Sequence, residues 1–185
     1  MKILTGALRG QTLSFTPNVR LRPTADKVRK AIFDALRGAL EGAQVLDLFS
    51  GTGALGIEAL SAGAKAVTFV EIDRRQSSRI LENLRRLKLL DRSRVMTADA
   101  LKAVLDFSRR GLSFDFIFMD PPYGRGLDRK LMDALSESPA VNEGGIVVLE
   151  CRRNEDAPGE KGQLKMIRSK VYGDTRVVIY SRVLQ

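Results

Sequence analysis

The chain has no histidine, one cysteine and only 6% aromatic residues. Without histidine there is no Ser-His-Asp triad, and the commonest zinc ligand is missing, so neither serine-hydrolase nor metal chemistry is expected. Cys151 has no partner for an internal disulfide and reads as a structural thiol in a cytoplasmic protein. No apolar run reaches the length of a membrane span, and the opening MKILT has no signal-peptide core, so neither insertion nor export is expected.

What is present is a chain of 185 residues, 44% hydrophobic, enough for one domain with a real core. Lys and Arg number 31 against 22 Asp and Glu, a net charge of +9, which is the electrostatic footprint of a nucleic-acid partner.

Residues 1–20 read as two short strands around Arg9-Gly10, a hairpin with little apolar mass of its own. LRPTADKVRKAIFDAL then starts a helix that Thr24 or Asp26 can cap. Val28, Ile32, Ala35, Leu36 and Ala39 share its inner face, and Lys27, Arg29 and Lys30 are expected outside. From residue 43 onward, strand candidates QVLDLF, AVTFVEI, SRVMTA, FDFIFMD and GIVVLEC alternate with helical stretches near 54–62, 75–88, 100–109 and 127–137. That pattern implies βαβ units and a parallel sheet. QLKMIRSKVY and TRVVIYSRVL, joined by Gly173-Asp174, predict a closing antiparallel pair.

VLDLFSGTGALGIEAL sets Gly51, Gly53 and Gly56 between a strand and a helix, and Glu71 ends the next strand. Such glycines let backbone approach a nucleotide-type ligand, and a terminal acid can accept two ribose hydroxyls. A dinucleotide and S-adenosylmethionine (SAM) both suit this arrangement. Asp47 tips the choice, because an acid there repels pyrophosphate and suits an ammonium and a sulfonium. Asp99 is placed either to take the adenine amino group or to cap the helix at Ala100, and the two roles are compatible.

FIFMDPPYGRGL ends a buried strand on an acid, two prolines and an aromatic ring. An exocyclic base amine is a poor nucleophile because its lone pair is delocalised, so a methyltransferase must hold it with acceptors aimed at its N–H bonds. Asp120 is suited to orient the amine. Pro121 and Pro122 fix the backbone, with the Pro121 carbonyl as a second acceptor, and Tyr123 offers a stacking face.

On these motifs the chain resembles the class I SAM-dependent methyltransferases, and more narrowly the RsmD family of 16S rRNA guanine-N2 methyltransferases. The resemblance runs through Leu8-Arg9-Gly10, LRPTADKVRKAIFDAL, VLDLFSGTGALGIEAL, FVEID, FMDPPYGRGL and VYGDTRVVIY. It implies an α/β, Rossmann-like, doubly wound sheet of seven mostly parallel strands with an antiparallel C-terminal hairpin. Residues 1–22 would be an RNA-contacting β-hairpin extension and residues 23–185 the catalytic domain. The family's cofactor residues fall on Asp47, Phe49, Ser50, Gly51, Gly53, Glu71, Ile72, Asp99 and Ala100, with Arg22, Pro23 and Thr24 covering the pocket. Lys30 stands where the family commonly has an acid, and Asp34 where it has asparagine. The implied substrate is one guanine of small-subunit rRNA, and a monomer without metal is expected.

Residues 1–38 carry eight basic side chains against two acids. This concentration nominates Arg9, Lys27 and Arg29 for RNA phosphates, and Arg125 for the phosphate beside a flipped base. Phe15, Phe107 and Phe114 read as core rather than stacking platforms. Three other functions share parts of the pattern. An adenine-N6 DNA methyltransferase shares DPPY but generally carries an added recognition segment. An NAD-dependent oxidoreductase leaves DPPY unexplained, and a non-catalytic RNA-binding module explains neither pocket.

Overall fold

The computed structural model describes residues 1–14, 23–122, 124 and 126–183. Phe15, Arg22, Tyr123, Arg125 and the side chains of Pro23 and Thr24 lie outside the described residues. The element order is α1 (Pro23–Ala35), β1 (Gln44–Leu48), α2 (Ala54–Ser61), β2 (Ala66–Glu71), α3 (Arg74–Arg86), β3 (Ser93–Thr97), α4 (Ala100–Arg109), β4 (Phe114–Met119), α5 (Leu127–Leu135), β5 (Val141–Arg152), β6 (Glu160–Lys161), β7 (Leu164–Tyr172) and β8 (Thr175–Arg182).

One sheet runs in the order β3-β2-β1-β4-β5-β8-β7-β6. The first five of these strands are parallel, and β8 and β7 return antiparallel through the Gly173 turn, whose φ is 61°. Among the described residues the sheet has eight strands rather than seven. The addition, β6, is two residues paired to the start of β7, too short to show any alternation in sequence. From β1 the chain winds out to β3 and then resumes on the other side of β1 at β4. This leaves a crevice beyond the C-terminal ends of β1 and β4, where open α/β sheets bind ligands.

Alternation along each strand divides the core. Val45, Phe116, Phe118, Val148 and Ile179 face α1, α2 and α3, whereas Leu46, Leu48, Ile117, Met119 and Leu149 face α4 and α5. Phe107 and Phe114 meet edge-on at 5.3 Å inside this second layer, as core residues. Cys151 is also buried there, and burial pushes its thiol up to about 11, the behaviour of an inert packing residue.

The N-terminal segment closes as a short antiparallel hairpin: a bridge joins Lys2 and Thr12, Ile3 N–H donates to the Gln11 carbonyl at 2.9 Å, Gly10 N–H to the Ile3 carbonyl at 2.8 Å and Leu13 N–H to the Met1 carbonyl at 2.7 Å. It is not loosely attached. Ile3 and Leu13 are each 1% exposed within the main core. Glu58 of α2 accepts from Leu4 N–H (2.7 Å), Thr5 N–H (3.1 Å) and the Thr5 hydroxyl (2.8 Å).

Arg29 completes that clamp, which corrects the expectation that α1 exposes it. Its guanidinium is buried, 3.2 Å from Glu58 and 3.1 Å from Asp26, and donates to the Lys2 carbonyl at 2.9 Å. It fastens α1, α2 and the N-terminus together and cannot reach RNA. Lys27 and Lys30 are exposed as expected, whereas Ala39 lies past the helix on the surface. Lys30 and Asp34, the two positions expected to differ from the resembled family, form one ion pair, Lys30 Nζ to Asp34 at 2.6 Å, one turn apart.

Candidate active site

β1 delivers Asp47 to the crevice as an almost fully buried carboxyl, 1% exposed, that accepts a hydrogen bond from Gly56 N–H at 2.9 Å. The chain then reverses tightly, with Phe49, Gly51 and Gly53 at φ values of 58°, 52° and 75°. For a phenylalanine this left-handed conformation is strained, and such strain is typically retained at ligand-binding turns. Buried Ser50 fixes the turn. Its hydroxyl donates to the Asp47 carbonyl at 2.6 Å and accepts from Val70 N–H of β2 at 3.0 Å. Gly56 serves close packing instead, since a Cβ there would fall 2.2 Å from the Phe69 ring of β2.

At the end of β2, Glu71 folds back against the glycine turn, accepting from Gly51 N–H at 2.7 Å and Asp73 N–H at 2.8 Å, one bond on each oxygen. A carboxylate has about four acceptor sites, so two remain for a diol. The next residue, Ile72, is 68% exposed, an apolar surface of the type that an adenine face covers. Asp99 caps α4, accepting from Lys102 N–H at 3.0 Å through one oxygen, while Ala100 is buried beneath it. The capping role is therefore present, and it occupies only one of the two carboxylate oxygens.

β4 delivers Asp120. Phe118, two residues earlier on the same face, is fully buried, with its ring 5.7 Å from Phe33 of α1, so the strand that carries the acid is rigid to its end. Register pairs Leu48 with Met119, which makes Asp120 and Asp47 diagonal neighbours on one face of adjacent strands. Asp120 and Pro122 are exposed, and Pro121 between them is buried.

A fourth acid, unnoticed in sequence, joins them. Glu150 of β5 follows Leu149, the register partner of Met119, and so stands beside Asp120 on the same face as Asp47. Burial foremost, then the charges of Asp120 and Asp47, holds its carboxyl well above the usual range, with Arg29 opposing. Asp47 is pushed up to about 7, chiefly by burial and then by Asp120 and Glu71, against the Gly56 hydrogen bond. A signal for Glu150 was available, because VLDL, FVE, FMD and VLE all place an acid at the C-terminal end of an apolar strand.

Four carboxyls thus crowd one sheet edge in a protein of net charge +9. Burial keeps part of this set protonated near neutral pH, and the acids that remain ionised repel the pyrophosphate of a dinucleotide and attract a cationic group, while the basic exterior attracts a polyanion.

The family model described as conserved hypothetical protein 95 matches residues 1–181. Among curated proteins the chain is similar to YlbH of Bacillus subtilis, with 35% identity covering 98% of this chain and 99% of that protein. It is similar also to ribosomal RNA small subunit methyltransferase D of Escherichia coli, with 32% identity covering 100% of this chain and 91% of that protein. Among solved structures it is similar to yhhF from Escherichia coli, with a TM-score of 0.89 and 32% identity covering 100% of this chain and 99% of that one.

Proposed function

The chain belongs to the conserved hypothetical protein 95 family, and from that premise we propose that it is a SAM-dependent rRNA methyltransferase acting on the exocyclic N2 of a guanine in the small ribosomal subunit. The observation that carries this reading is the convergence of Asp47, Glu71 and Asp120 around one glycine turn.

The residues present fit SAM. Glu71 keeps acceptor sites for the ribose hydroxyls, Ile72 offers an apolar face to the adenine, and the second oxygen of Asp99 is available for the adenine amine. Asp47 supplies negative charge for the ammonium group of the amino-acid end. Phe49, Ser50, Gly51 and Gly53 shape the wall, and Ala100 backs it. Arg22, Pro23 and Thr24 are assigned to the pocket's cover by the family resemblance alone. When bound, SAM supplies an electrophilic methyl group on a sulfonium.

In this mechanism Asp120 accepts one N–H bond of the guanine amine and the Pro121 carbonyl accepts the other, which aims the nitrogen lone pair at the methyl carbon. Transfer of the methyl group to that nitrogen would leave the bound cofactor as its neutral thioether, with the electron pair of the broken C–S bond on sulfur. The surplus proton on nitrogen passes to Asp120 and then to solvent. Tyr123 stacks on the extruded base, and Pro122 directs the chain toward it. Lys27 and Arg125 hold phosphates beside the target, and Arg9, in the RNA-contacting extension of residues 1–22, holds RNA farther from it, in a monomeric, metal-independent cytoplasmic enzyme.

The test is Asp120→Ala with labelled SAM and small subunits lacking the methyl group. The expected result is loss of turnover on the order of a hundredfold or more, with SAM affinity within a few-fold of the parent. Loss of SAM binding instead would move Asp120 from the substrate's side of the reaction to the cofactor's.

A further inference from the structure

A groove lies between α1 and β7, lined by Lys27, Lys30, Asp34, Arg168, Lys170 and Tyr172. β7 runs parallel to β5, so its C-terminal end lies at the same edge of the sheet as Asp120. Register makes the relation closer. Glu150 pairs with Val177, and Val177 pairs with Lys170, so Lys170 lies in the row of the active-site acids, two strands and about 10 Å from Glu150. Arg168 pairs with Ile179, whose side chain packs on the α1 side of the sheet, so both β7 cations face α1.

Four cations here face one carboxylate, and Asp34 is already shared by Lys30 (2.6 Å) and Arg37 (3.2 Å). Lys27, Arg168 and Lys170 join no ion pair among the described residues, and all three are exposed. Arg168 and Lys170 are alternate residues of a strand, roughly 7 Å apart, which suits successive phosphates of an extended chain. Tyr172 continues the row, with Lys170 Nζ lying 5.5 Å from its ring centroid.

The N-terminal turn lies elsewhere. Ala7 N–H and Leu8 N–H bond to the Ser61 carbonyl (2.8 Å) and hydroxyl (2.9 Å) at the C-terminus of α2, which carries Arg9 to the end of the sheet opposite Asp120.

We propose that the groove between α1 and β7 is the main RNA track, in which Lys27, Arg168 and Lys170 hold the phosphates that flank the target nucleotide. The proposal rests on the reading of the chain as an rRNA methyltransferase, and it places strand-bound cations from the C-terminal hairpin at the catalytic mouth.

The experiment is the double variant Arg168→Gln/Lys170→Gln, which keeps most of the alkyl stems. It is assayed on methyl-deficient small ribosomal subunits with labelled SAM across a salt series, alongside SAM affinity and thermal melting. KM for the subunits should rise on the order of tenfold, and the slope of log KM against log salt should become shallower by roughly 1.5. Melting, SAM affinity and kcat should be preserved. An unchanged KM and slope would overturn the track. If Arg9→Gln/Arg37→Gln produced the effect instead, RNA would run along the other side of α1. A parent enzyme inactive on every rRNA preparation would defeat the methyltransferase reading itself, and the track with it. Activity in the parent with an unmoved KM in the double variant defeats the track alone.

Discussion

Replacing Asp47 by asparagine should strengthen the fold and weaken cofactor binding, with the first effect appearing only as pH rises. The folded carboxyl is 1% exposed and is raised from 3.8 to about 7, first by burial, against the Gly56 N–H, and then by Asp120 and Glu71. Because this value exceeds that of the unfolded chain, the folded protein retains between about pH 4 and 7 a proton that the unfolded chain has released. Stability therefore falls as pH rises through that window. A tenfold difference in proton affinity between the folded and unfolded chain is worth about 1.4 kcal/mol, so the full cost above neutrality is on the order of 4 kcal/mol, and protein relaxation reduces it. Asparagine cannot ionise, and its amide oxygen can still accept from Gly56 N–H. Near pH 8, Asp47→Asn should be more stable by roughly 2 kcal/mol or more in urea unfolding, a rise of about 4–8 °C in melting temperature for a chain of this size. Near pH 5 most of that gain should vanish. Affinity for SAM should fall at least roughly tenfold, because on the proposed reading the Asp47 carboxylate receives the cofactor's ammonium group. A variant less stable than the parent at pH 8, or one whose difference from the parent is the same at both pH values, would refute the reasoning.

Gly56→Ala should destabilise the fold by about 1–3 kcal/mol, because the added Cβ would lie 2.2 Å from a Phe69 ring carbon and 2.9 Å from Val67; a urea midpoint unchanged from the parent would contradict it. Arg29→Ala should cost on the order of 3 kcal/mol by leaving Glu58 buried without its cation, while the subunit KM measured well below the melting temperature stays put; a raised KM with parental stability would restore Arg29 to the RNA surface. Tyr123→Phe should keep most activity and Tyr123→Ala lose it, since the ring face and not the hydroxyl does the stacking; equal loss in both would assign the role to the hydroxyl.

The parallel strands were legible because each is a short apolar run with its own turn signals, and β1, β2, β3 and β4 fall within a residue of their predicted ends. Asp47, Glu71 and Asp120 were legible for the same reason, as acids terminating such runs. Glu150 escaped because GIVVLEC reads as a strand whether or not its acid is functional, and only the register of β5 against β4 brings it beside Asp120. Arg29 was misplaced because helical periodicity places charges outside by default. Its burial depends on Glu58, a residue in a different helix that the GIEAL segment presents as an ordinary surface acid. The basic residues of β7 carried no signal until pairing through β8 set the C-terminal end of that strand at the catalytic edge. Tertiary pairing of distant charges has no local period, and it decided most of what the sequence alone left out.

The central claim is that Asp120 presents a guanine amine to the methyl group of SAM. Its most direct test is to incubate the protein with isotopically labelled SAM and small ribosomal subunits from a strain lacking the gene, then digest the RNA and identify the labelled nucleoside by mass spectrometry. The account predicts N2-methylguanosine at one position, absent when Asp120→Ala replaces the parent. Label in N6-methyladenosine, label on a ring carbon or a ribose, or equal labelling by Asp120→Ala would contradict it.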